Sequence, residues 1–485
     1  MVMARSGYSP QGLVDALCAS GLDAQLVRDD VVTSDVVDVE MDSRECHAGD
    51  LFACVVGRHH DGHDHAADAV AAGAVALLVE RELALDVPQI VVDSVRRAVG
   101  PLAAILHDRP STRTMVVGIT GTNGKTTVAS MVAAVVASSG TPTTVIGTLS
   151  GRLTTPEAPD LQRRLAESAD DGRTVIMEVS SHALVEHRVD GIDFAVAAFT
   201  NLSRDHLDLH GSMEEYFRAK ASLFTERHPR HAVINVGDRY GRLLADTLDD
   251  DSTQRESLRR VSFDDAGALT LSAEGSSFEL DGRRWSIPLI GRPHVENAIV
   301  AIAICRALGL GDEVIAHGLA SMPTVPGRLE RIAPNESRAI EVIVDFAHTP
   351  DALEALIETC REIAPGRRLV LVFGCGGDRD RTKRPEMGRI AMGADRVVVT
   401  SDNPRSEDPT SITTEILSGI GAGDLPRVDV VVDRAAAIQL AIESAQDGDV
   451  VVVAGRGHEP MQEVAGVKVP FDDREVARLA LGGRQ

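Results

Sequence analysis

The chain has 485 residues, of which 44% are hydrophobic and 25% charged, a balance typical of a globular protein with about two to four domains. Its 49 lysines and arginines are outnumbered by 73 aspartates and glutamates, which gives a net charge of −24. That charge argues against nonspecific binding to nucleic acid or to an anionic membrane. The aromatic content of 3% also leaves little surface on which single-stranded bases stack.

Cysteine usage and the terminal sequence favour a cytoplasmic protein. The six cysteines are scattered and form no C-x-x-C pair, which is typical of a reduced compartment rather than of a disulfide or zinc framework. The N-terminus has neither the basic stretch nor the apolar run of a secretory signal. No apolar run reaches the ~18 residues that a membrane span needs. We therefore expect a soluble cytoplasmic protein that binds no membrane.

Short valine- and alanine-rich runs alternate with amphipathic helical patterns along most of the chain, which predicts an α/β fold with parallel sheets. We divide the chain into three blocks, 1–110, 111–330 and 331–485. Strands are predicted near 50–56 in the first block and at 115–119 in the second. In the third block they are predicted at 340–346, 368–374, 396–400 and 450–455.

A glycine-rich loop follows the strand at 115–119 and precedes a helical segment, which is the context of a phosphate-binding loop. Its glycines let backbone N–H groups approach phosphates, and the helix N-terminus adds positive potential. Lys125 would contact the β- and γ-phosphates, and the Thr126 hydroxyl would bind Mg²⁺. The alternative is a glycine-rich turn with a solvated lysine, because the first glycine of the strict motif is replaced by Ile119. The loop residues are Gly121, Thr122, Asn123, Gly124, Lys125, Thr126 and Thr127.

Two further strand ends carry polar side chains. The strand at 174–179 ends near Glu178, and a carboxylate at the end of a parallel strand beside a phosphate loop can hold Mg²⁺ or can cap the next helix. The strand at 194–200 leads to His206 and His210, which are four residues apart. A zinc site lacks support here, because the glutamate of an H-E-x-x-H motif is missing. A structural and a functional role for the two histidines both remain open.

Motifs spread over nearly the whole chain resemble those of the ATP-dependent Mur ligases, and most of all the members that form UDP-N-acetylmuramoyl-tripeptide. The segments that carry this resemblance are 42–44, 121–127, 154–157, 178–182, 201–211, 216–220, 325–328, 345–350, 374–380, 402–405 and 455–459. The resemblance implies a small α/β UDP-binding N-terminal domain (1–110), a central P-loop ATPase with a parallel sheet (111–330) and a C-terminal Rossmann-like domain that binds the amino acid (331–485). It implies amide-bond formation in peptidoglycan precursor synthesis. In the reaction that the resemblance implies, the D-Glu side-chain carboxylate of UDP-MurNAc-L-Ala-D-Glu attacks the γ-phosphate of ATP, and a diamino acid then displaces phosphate.

The resemblance also implies a catalytic centre with two Mg²⁺ ions. Thr126 and Glu178 match the ligands of one ion and His206 matches a ligand of the second, with Lys125 on the phosphates. In the family the lysine that corresponds to Lys220 is carbamoylated by CO₂, which turns a cation into an oxygen ligand. Without the family match, Lys220 is a surface lysine that extends its ammonium to water.

Substrate residues follow from the same resemblance. Asn297 and Arg328 match ATP contacts. For the nucleotide the matches are Met41, Ser43, Arg58, His59 and His60. For the muramyl dipeptide they are Thr154, Thr155, Ser180, Glu186, Arg188 and Lys220. Two positions depart from the family pattern, since Leu153 replaces an amide residue and Glu186 stands where glutamine is frequent.

The amino acid implied is meso-2,6-diaminopimelate, because Asp402-Asn403-Pro404-Arg405 resembles the signature of the members that add it. Arg405 can bind the distal carboxylate with two parallel hydrogen bonds. Arg379 matches a second carboxylate contact, and Gly455 and Glu459 match the groups that hold the distal ammonium. Asp345 and His348 are weaker candidates for contact with the nucleotide.

Four alternatives stay open: the same reaction with L-lysine or L-ornithine, a folylpolyglutamate synthetase, a P-loop kinase, and an inactive nucleotide-binding homologue. The resemblance further implies a monomer whose C-terminal domain swings to close the site.

Overall fold

The computed structural model of the chain describes residues 7–31, 33–57, 60–251, 255–272, 274–332 and 339–482. Strands and helices alternate along these residues, and most strand pairs in the three large sheets are parallel. The predicted α/β class with parallel sheets is therefore confirmed. None of the helices described is long and apolar enough to cross a membrane.

The first sheet lies in residues 24–92. Its strands are β1 (Ala24–Val27), β2 (Asp38–Glu40), β3 (Asp50–Ala53), β4 (Ala76–Val79) and β5 (Gln89–Val92), and its helices are α1 (Pro10–Ala19), α2 (Ala66–Ala72) and α3 (Val95–Leu106). The strand order is β1-β5-β4-β3-β2, with only the β1–β5 pair antiparallel. Leu51 packs with residues of α1 and α3, whereas the next residue, Phe52, packs with residues of α2. Helices therefore cover both faces of this sheet.

The central sheet is parallel throughout. Its strands are β6 (Val116–Thr120), β7 (Thr143–Ile146), β8 (Thr174–Glu178), β9 (Val196–Phe199), β10 (His231–Asn235) and β11 (Leu258–Val261). Their order is β11-β10-β9-β6-β8-β7. The helices are α4 (Lys125–Ser138), α5 (Ala158–Asp170), α6 (Ser181–Val185), α7 (Leu207–His210), α8 (Met213–Thr225), α9 (Arg239–Asp250), α10 (Arg292–Ala307) and α11 (Asp312–Ala320).

Alternation along β6 explains why its sequence carries no polar side chain from Val116 to Ile119. Val116 lies in a buried cluster with residues of α5 and α8, and Val117 lies in another with residues of α4 and α10. Because successive side chains point to opposite faces of a strand, a strand covered on both sides must be apolar at every position.

The central sheet is followed by a three-stranded antiparallel sheet, which was not predicted from the sequence. It consists of β12 (Gly267–Ser272), β13 (Gly275–Leu280) and β14 (Arg283–Ile287). Asp281 and Gly282 join the last two strands with φ angles of 54° and 73°. Two positive φ angles match the twist of a two-residue hairpin, and Asp-Gly is a preferred sequence for it.

The third large sheet begins at residue 330. Its strands are β15 (Glu330–Ile332), β16 (Glu341–Asp345), β17 (Leu369–Phe373), β18 (Arg396–Val399), β19 (Val428–Val430) and β20 (Val450–Ala454), in the order β15-β16-β20-β17-β18-β19. Only β15 runs antiparallel to its neighbour. The helices are α12 (Pro350–Ile363), α13 (Lys383–Ala391), α14 (Pro409–Leu417), α15 (Arg434–Glu443) and α16 (Asp473–Ala480), and a hairpin is formed by β21 (Met461–Val464) and β22 (Val467–Pro470).

The strand order determines where functional side chains meet. In the central sheet β6 lies between β9 and β8, so the loops that follow these three strands are neighbours at the carboxyl edge. In the third sheet β20 lies between β16 and β17, with β18 next to β17. Ligands of open α/β sheets bind at such edges.

Candidate active site

The loop from Gly121 to Thr127 connects β6 to α4, as predicted. The Lys125 ammonium donates to the carbonyl oxygens of Gly121 and Thr122, both at 2.9 Å. Gly124 has φ 86°, and a Cβ there would lie 2.2 Å from Oδ1 of Asn297. Glycine is therefore required at this position, and Asn297 is in contact with the loop.

Thr126 and Glu178 meet in a buried position at the N-terminus of α4. The Thr126 hydroxyl lies 3.1 Å from each carboxylate oxygen of Glu178, and Arg328 Nη2 donates to that hydroxyl at 3.2 Å. Thr148 also holds Glu178, because its backbone N–H donates to Oε1 at 2.9 Å and its hydroxyl lies 3.2 Å from Oε2. Thr148 was not predicted from the sequence. It could have been found from its position directly after β7, because β7 lies next to β8 in the sheet.

Lys220 is buried under the phosphate loop. Its side chain is 1% exposed, and Nζ donates to the carbonyl oxygen of Gly121 at 2.7 Å. Nζ also lies 4.8 Å from the ring centroid of Tyr216. Burial, followed by the charge of Lys125, holds the pKa of Lys220 well below its ordinary value. This burial contradicts the alternative of a solvated surface lysine.

His206 is the N-cap residue of the short helix α7 and has a left-handed conformation with φ 53°. Its Nε2 lies 3.3 Å from Oδ2 of Asp205, and the same carboxylate lies 3.7 Å from Nε2 of His348. Burial outweighs the attraction of Asp205 and lowers the pKa of His206 to about 3. A neutral imidazole is the form that can bind a metal ion.

A cavity of about 610 Å³ joins these groups. Of the predicted site residues, its lining includes Thr122, Asn123, Gly124, Lys125, Thr126, Thr127, Thr154, Glu178, Ser180, His206, Asn297 and Arg328. Asp345 and His348 line it from the third block. Gly121 and Lys220 are not lining residues; Lys220 is bonded to Gly121 behind the residues that line the cavity. The volume is in the range of small-molecule sites.

The side chains of this cluster can hold Mg²⁺ only together with a bound substrate. Among the described residues no group of three or more His, Cys, Asp or Glu side chains is arranged to hold a metal ion. The side-chain oxygens of Thr126 and Glu178 are hard ligands of the type that Mg²⁺ prefers, and Mg²⁺ usually takes its remaining ligands from water and substrate phosphates. The cluster therefore fits a magnesium–nucleotide complex rather than an all-protein metal cage.

The predicted dipeptide residues continue from the cavity towards α3. The Thr155 hydroxyl donates to the carbonyl oxygen of Glu178 at 2.9 Å and accepts from the backbone of Ser180 at 3.1 Å. Thr154 contacts the hydroxyl of Thr148 at 3.1 Å. Arg188 Nη1 donates to the carbonyl oxygen of Thr155 at 3.2 Å. These residues form one connected strip beside Glu178.

The predicted uridine residues are separate from this cavity. Met41 and Ser43 are partly buried and follow β2, and His60 is exposed on the loop after β3. None of the three lines the cavity. Arg58 and His59 lie outside the described residues.

The predicted amino-acid residues follow β17, β18 and β20. Asn403 Nδ2 donates to Oε2 of Glu459 at 2.8 Å, and Oδ2 of the buried Asp402 has no hydrogen-bond partner among the described residues. Gly455 has φ 119°, and a Cβ there would lie 2.5 Å from Oδ2 of Asp402. Burial, followed by the charge of Asp402, raises the pKa of Glu459. Two carboxylates thus share one small space.

Two of the predicted arginines lie close together at the loop after β17. Arg405 Nη1 donates to the carbonyl oxygen of Gly377 at 2.6 Å. A Cβ at Gly376 would lie 3.0 Å from Nη1 of Arg405 and 3.9 Å from Cγ of Arg379. Pro404 is buried between Asn403 and Arg405. The loops after β17 and β18 therefore bring Arg379 and Arg405 together, next to the backbone of Asn403.

Known proteins resemble the chain along nearly its full length. Family models described as the Mur ligase family catalytic domain, the Mur ligase middle domain and the Mur ligase glutamate ligase domain match residues 35–109, 119–305 and 327–457. The UDP-N-acetylmuramoyl-L-alanyl-D-glutamate–2,6-diaminopimelate ligase of Geobacillus kaustophilus is 42% identical, over 93% of this chain and 96% of that protein. The ligase of the same name from Synechococcus elongatus is 44% identical, over 93% and 95%.

Solved structures show the same resemblance. A UDP-N-acetylmuramoyl-L-alanyl-D-glutamate–2,6-diaminopimelate ligase superposes with a TM-score of 0.66 at 34% identity, covering 93% of this chain and 95% of that chain. MurF from Acinetobacter baumannii, at 20% identity and a TM-score of 0.67, covers 93% and 96% and shares the fold. The chain therefore belongs to the Mur ligase family and is an ATP-dependent ligase that forms amide bonds.

Proposed function

We propose that the chain adds meso-2,6-diaminopimelate to the D-Glu side-chain carboxylate of UDP-MurNAc-L-Ala-D-Glu, with cleavage of ATP to ADP and phosphate. The observation that carries the proposal is the pairing of a phosphate-loop cavity with an acidic and basic subsite on the neighbouring sheet. Arg328 connects the two, because it donates to Thr126 at 3.2 Å and is attracted by Glu178 and Glu459. The names of the relatives support the choice of substrates.

The phosphate-loop side of the cavity suits attack by a carboxylate on ATP. Two anions must approach one another, so positive charge has to lie around the reacting oxygens. Lys125 and the backbone N–H groups of the loop supply it, and bound Mg²⁺ adds charge that screens both anions. Thr126 and Glu178 would hold one ion, and His206 with a carbamoylated Lys220 would hold the other. The attacking oxygen bonds to the γ-phosphorus as ADP leaves, and the diamino acid's amine then bonds to the acyl carbon as phosphate leaves.

Carbamoylation of Lys220 is supported by its surroundings. CO₂ adds to a neutral amine, and burial keeps this amine neutral at a lower pH than that of an exposed lysine. An unmodified ammonium at the same place would repel a metal ion, whereas the carbamate would offer it oxygen atoms.

The neighbouring subsite suits a diamino acid that carries a distal carboxylate. Asp402 and Glu459 can pair with an ammonium group. Oδ2 of Asp402 has no hydrogen-bond partner in the described part of the chain, which favours a ligand that donates there. Arg405 and Arg379 can pair with the distal carboxylate. L-Lysine and L-ornithine lack that carboxylate and would leave the arginines without their partner.

The remaining assignments complete the proposal. Residues 1–110 bind the uridine nucleotide through Met41, Ser43 and His60, residues 111–330 bind ATP, and residues 331–485 bind the amino acid. The protein acts as a cytoplasmic monomer in peptidoglycan precursor synthesis.

The test is a parallel assay of three amino acids. Purified protein is mixed with ATP, Mg²⁺ and UDP-MurNAc-L-Ala-D-Glu, together with meso-diaminopimelate, L-lysine or L-ornithine, and nucleotide products are identified by mass. We expect tripeptide and equimolar ADP with meso-diaminopimelate and at least about 100-fold less with the other two. ATP hydrolysis without tripeptide, or equal use of L-lysine, would refute the proposal.

A further inference from the structure

Four charged side chains form an ion-pair chain between the first and the central sheet regions. Arg96 Nη1 donates to Oε2 of Glu157 at 3.0 Å, and Arg96 Nε lies 3.3 Å from Oε2 of Glu186. The other oxygen of Glu157 lies 2.8 Å from Nη2 of Arg188. All four side chains are largely buried, with exposed fractions of 21% for Arg96, 30% for each glutamate and 16% for Arg188. Pairs buried to this degree are screened less by water than surface pairs.

Arg96 occupies a position that its own helix disfavours. It lies in the first turn of α3, which contains no acidic residue, and a helix N-terminus carries partial positive charge. Glu186 is at the C-cap of α6, where the partial charge is negative. Each residue therefore opposes its local helix dipole and is stabilised by the other. A local conflict of this kind points to a role beyond helix stability.

The ion-pair chain fixes the guanidinium group of Arg188 in one orientation. Glu157 holds one of its terminal nitrogens and the carbonyl oxygen of Thr155 holds the other, while its Nε has no acceptor among the described residues. Two carboxylates and two guanidinium groups balance in charge. Without Arg96 the three remaining side chains would carry an excess negative charge and would repel an approaching carboxylate.

We propose that Arg96 is a positioning residue for the peptide part of the nucleotide substrate. By holding Glu157 and neutralising Glu186, it keeps Arg188 in place for a carboxylate of the L-Ala-D-Glu segment. This inference rests on the proposed function, in which Arg188 contacts the muramyl dipeptide. The inference also accounts for Glu186, which stands where glutamine is frequent in the family, because Arg96 balances the negative charge of this residue.

Binding measurements on variants test this role. We would titrate UDP-MurNAc-L-Ala-D-Glu and, separately, UDP into the wild type, Arg96→Gln, Glu186→Gln and the double variant. The matched control is Arg97→Gln, which removes the same charge from an exposed side chain one residue further along α3. UDP is the readout that separates positioning from structural damage, because a disturbed first domain would lose affinity for both ligands.

We expect Arg96→Gln to weaken binding of the peptide-bearing nucleotide roughly tenfold, with UDP affinity unchanged and Arg97→Gln like the wild type. Glu186→Gln in the Arg96→Gln background should restore affinity to within about twofold, because it removes the carboxylate that was left unpaired. Arg96→Lys keeps the charge, but an ammonium group cannot bond to both carboxylates as a planar guanidinium does, so we expect an intermediate loss of affinity for the peptide-bearing nucleotide. If Arg96→Gln does not fold, Arg96→Lys is measured in its place.

Three results would overturn the inference: unchanged affinity in Arg96→Gln, equal losses for UDP and the full substrate, or no recovery in the double variant. Failure of the proposed function has a different signature, since the wild type itself would then not bind the peptide-bearing nucleotide or would bind it without forming tripeptide.

Discussion

Arg405 provides the sharpest test of amino-acid choice. It lies in the loop after β18 with φ 51°, and Nη1 is fixed by its bond to the carbonyl oxygen of Gly377 at 2.6 Å. The change Arg405→Ala removes the guanidinium that we assign to the distal carboxylate. It leaves backbone strain unchanged, because arginine and alanine both carry a Cβ in this left-handed conformation. The folded protein should therefore survive the substitution.

The expected size of the effect follows from the burial of the side chain. Removing one partner of a desolvated charge pair costs about 2 to 5 kcal/mol, which corresponds to roughly 30-fold to 5,000-fold in kcat/KM. Arg405 is partly exposed, so we expect the lower part of this range, about 100-fold. The assay is phosphate release at varied meso-diaminopimelate with the other substrates saturating. The KM values for ATP and for the nucleotide substrate should not change.

A neighbouring arginine is the matched control. Arg381 lies in the loop after β17, is exposed and pairs with Glu415. Arg381→Ala should keep kcat/KM within about twofold of the wild type. Near-normal use of meso-diaminopimelate by Arg405→Ala, or equal losses in the two variants, would refute the assignment of Arg405.

Three further predictions concern the catalytic centre and the stability of the third sheet region. Lys220→Ala should lower kcat at least about 100-fold, and wild-type protein treated with ¹³CO₂ should show a carbamate carbon by NMR. Full activity of Lys220→Ala, together with no carbamate signal from the wild type, would exclude the modification. Glu178→Gln should raise the Mg²⁺ concentration needed for half-maximal rate at least about tenfold, which a magnesium titration measures; an unchanged titration would remove Glu178 from the metal site. Hydrogen bonds from Arg384 lower the pKa of Glu407 to about 2, so the pair stabilises the fold above the unfolded pKa of about 4.3 and this stabilisation is lost as pH falls towards 2. Urea unfolding between pH 6 and 3 should therefore show a smaller loss of stability in Glu407→Gln than in the wild type; equal losses would contradict the pairing.

Much of the fold could be predicted because helices cover both faces of the large sheets. The predicted strands at 115–119, 340–346 and 450–455 correspond to β6, β16 and β20, within one or two residues at each end. Nearly every position of these strands is buried, so the residues between the strand ends are apolar or glycine. The antiparallel strands β12 to β14 escaped prediction because they have partly exposed faces and a weaker pattern, although Asp281-Gly282 marks their hairpin.

The residues of the candidate site could be predicted where they belong to a sequence motif that directly follows a predicted strand. Lys125, Thr126 and Glu178 meet because β6 and β8 are neighbours, which the phosphate-loop context indicates. Thr148 and Arg96 were missed because they carry no motif of their own. Their roles depend on the packing of β7 beside β8 and of α3 against α5, and a single sequence does not reveal such long-range contacts.

The most direct measurement of the central claim follows one oxygen atom. UDP-MurNAc-L-Ala-D-Glu labelled with ¹⁸O in the D-Glu side-chain carboxylate is incubated with the protein, ATP, Mg²⁺ and meso-diaminopimelate. If the carboxylate attacks the γ-phosphate and the amine then displaces phosphate, each phosphate released carries one labelled oxygen and the new amide retains the other. Unlabelled phosphate formed together with tripeptide would contradict the acyl-phosphate route, and labelled phosphate that appears only with L-lysine would contradict the amino-acid assignment.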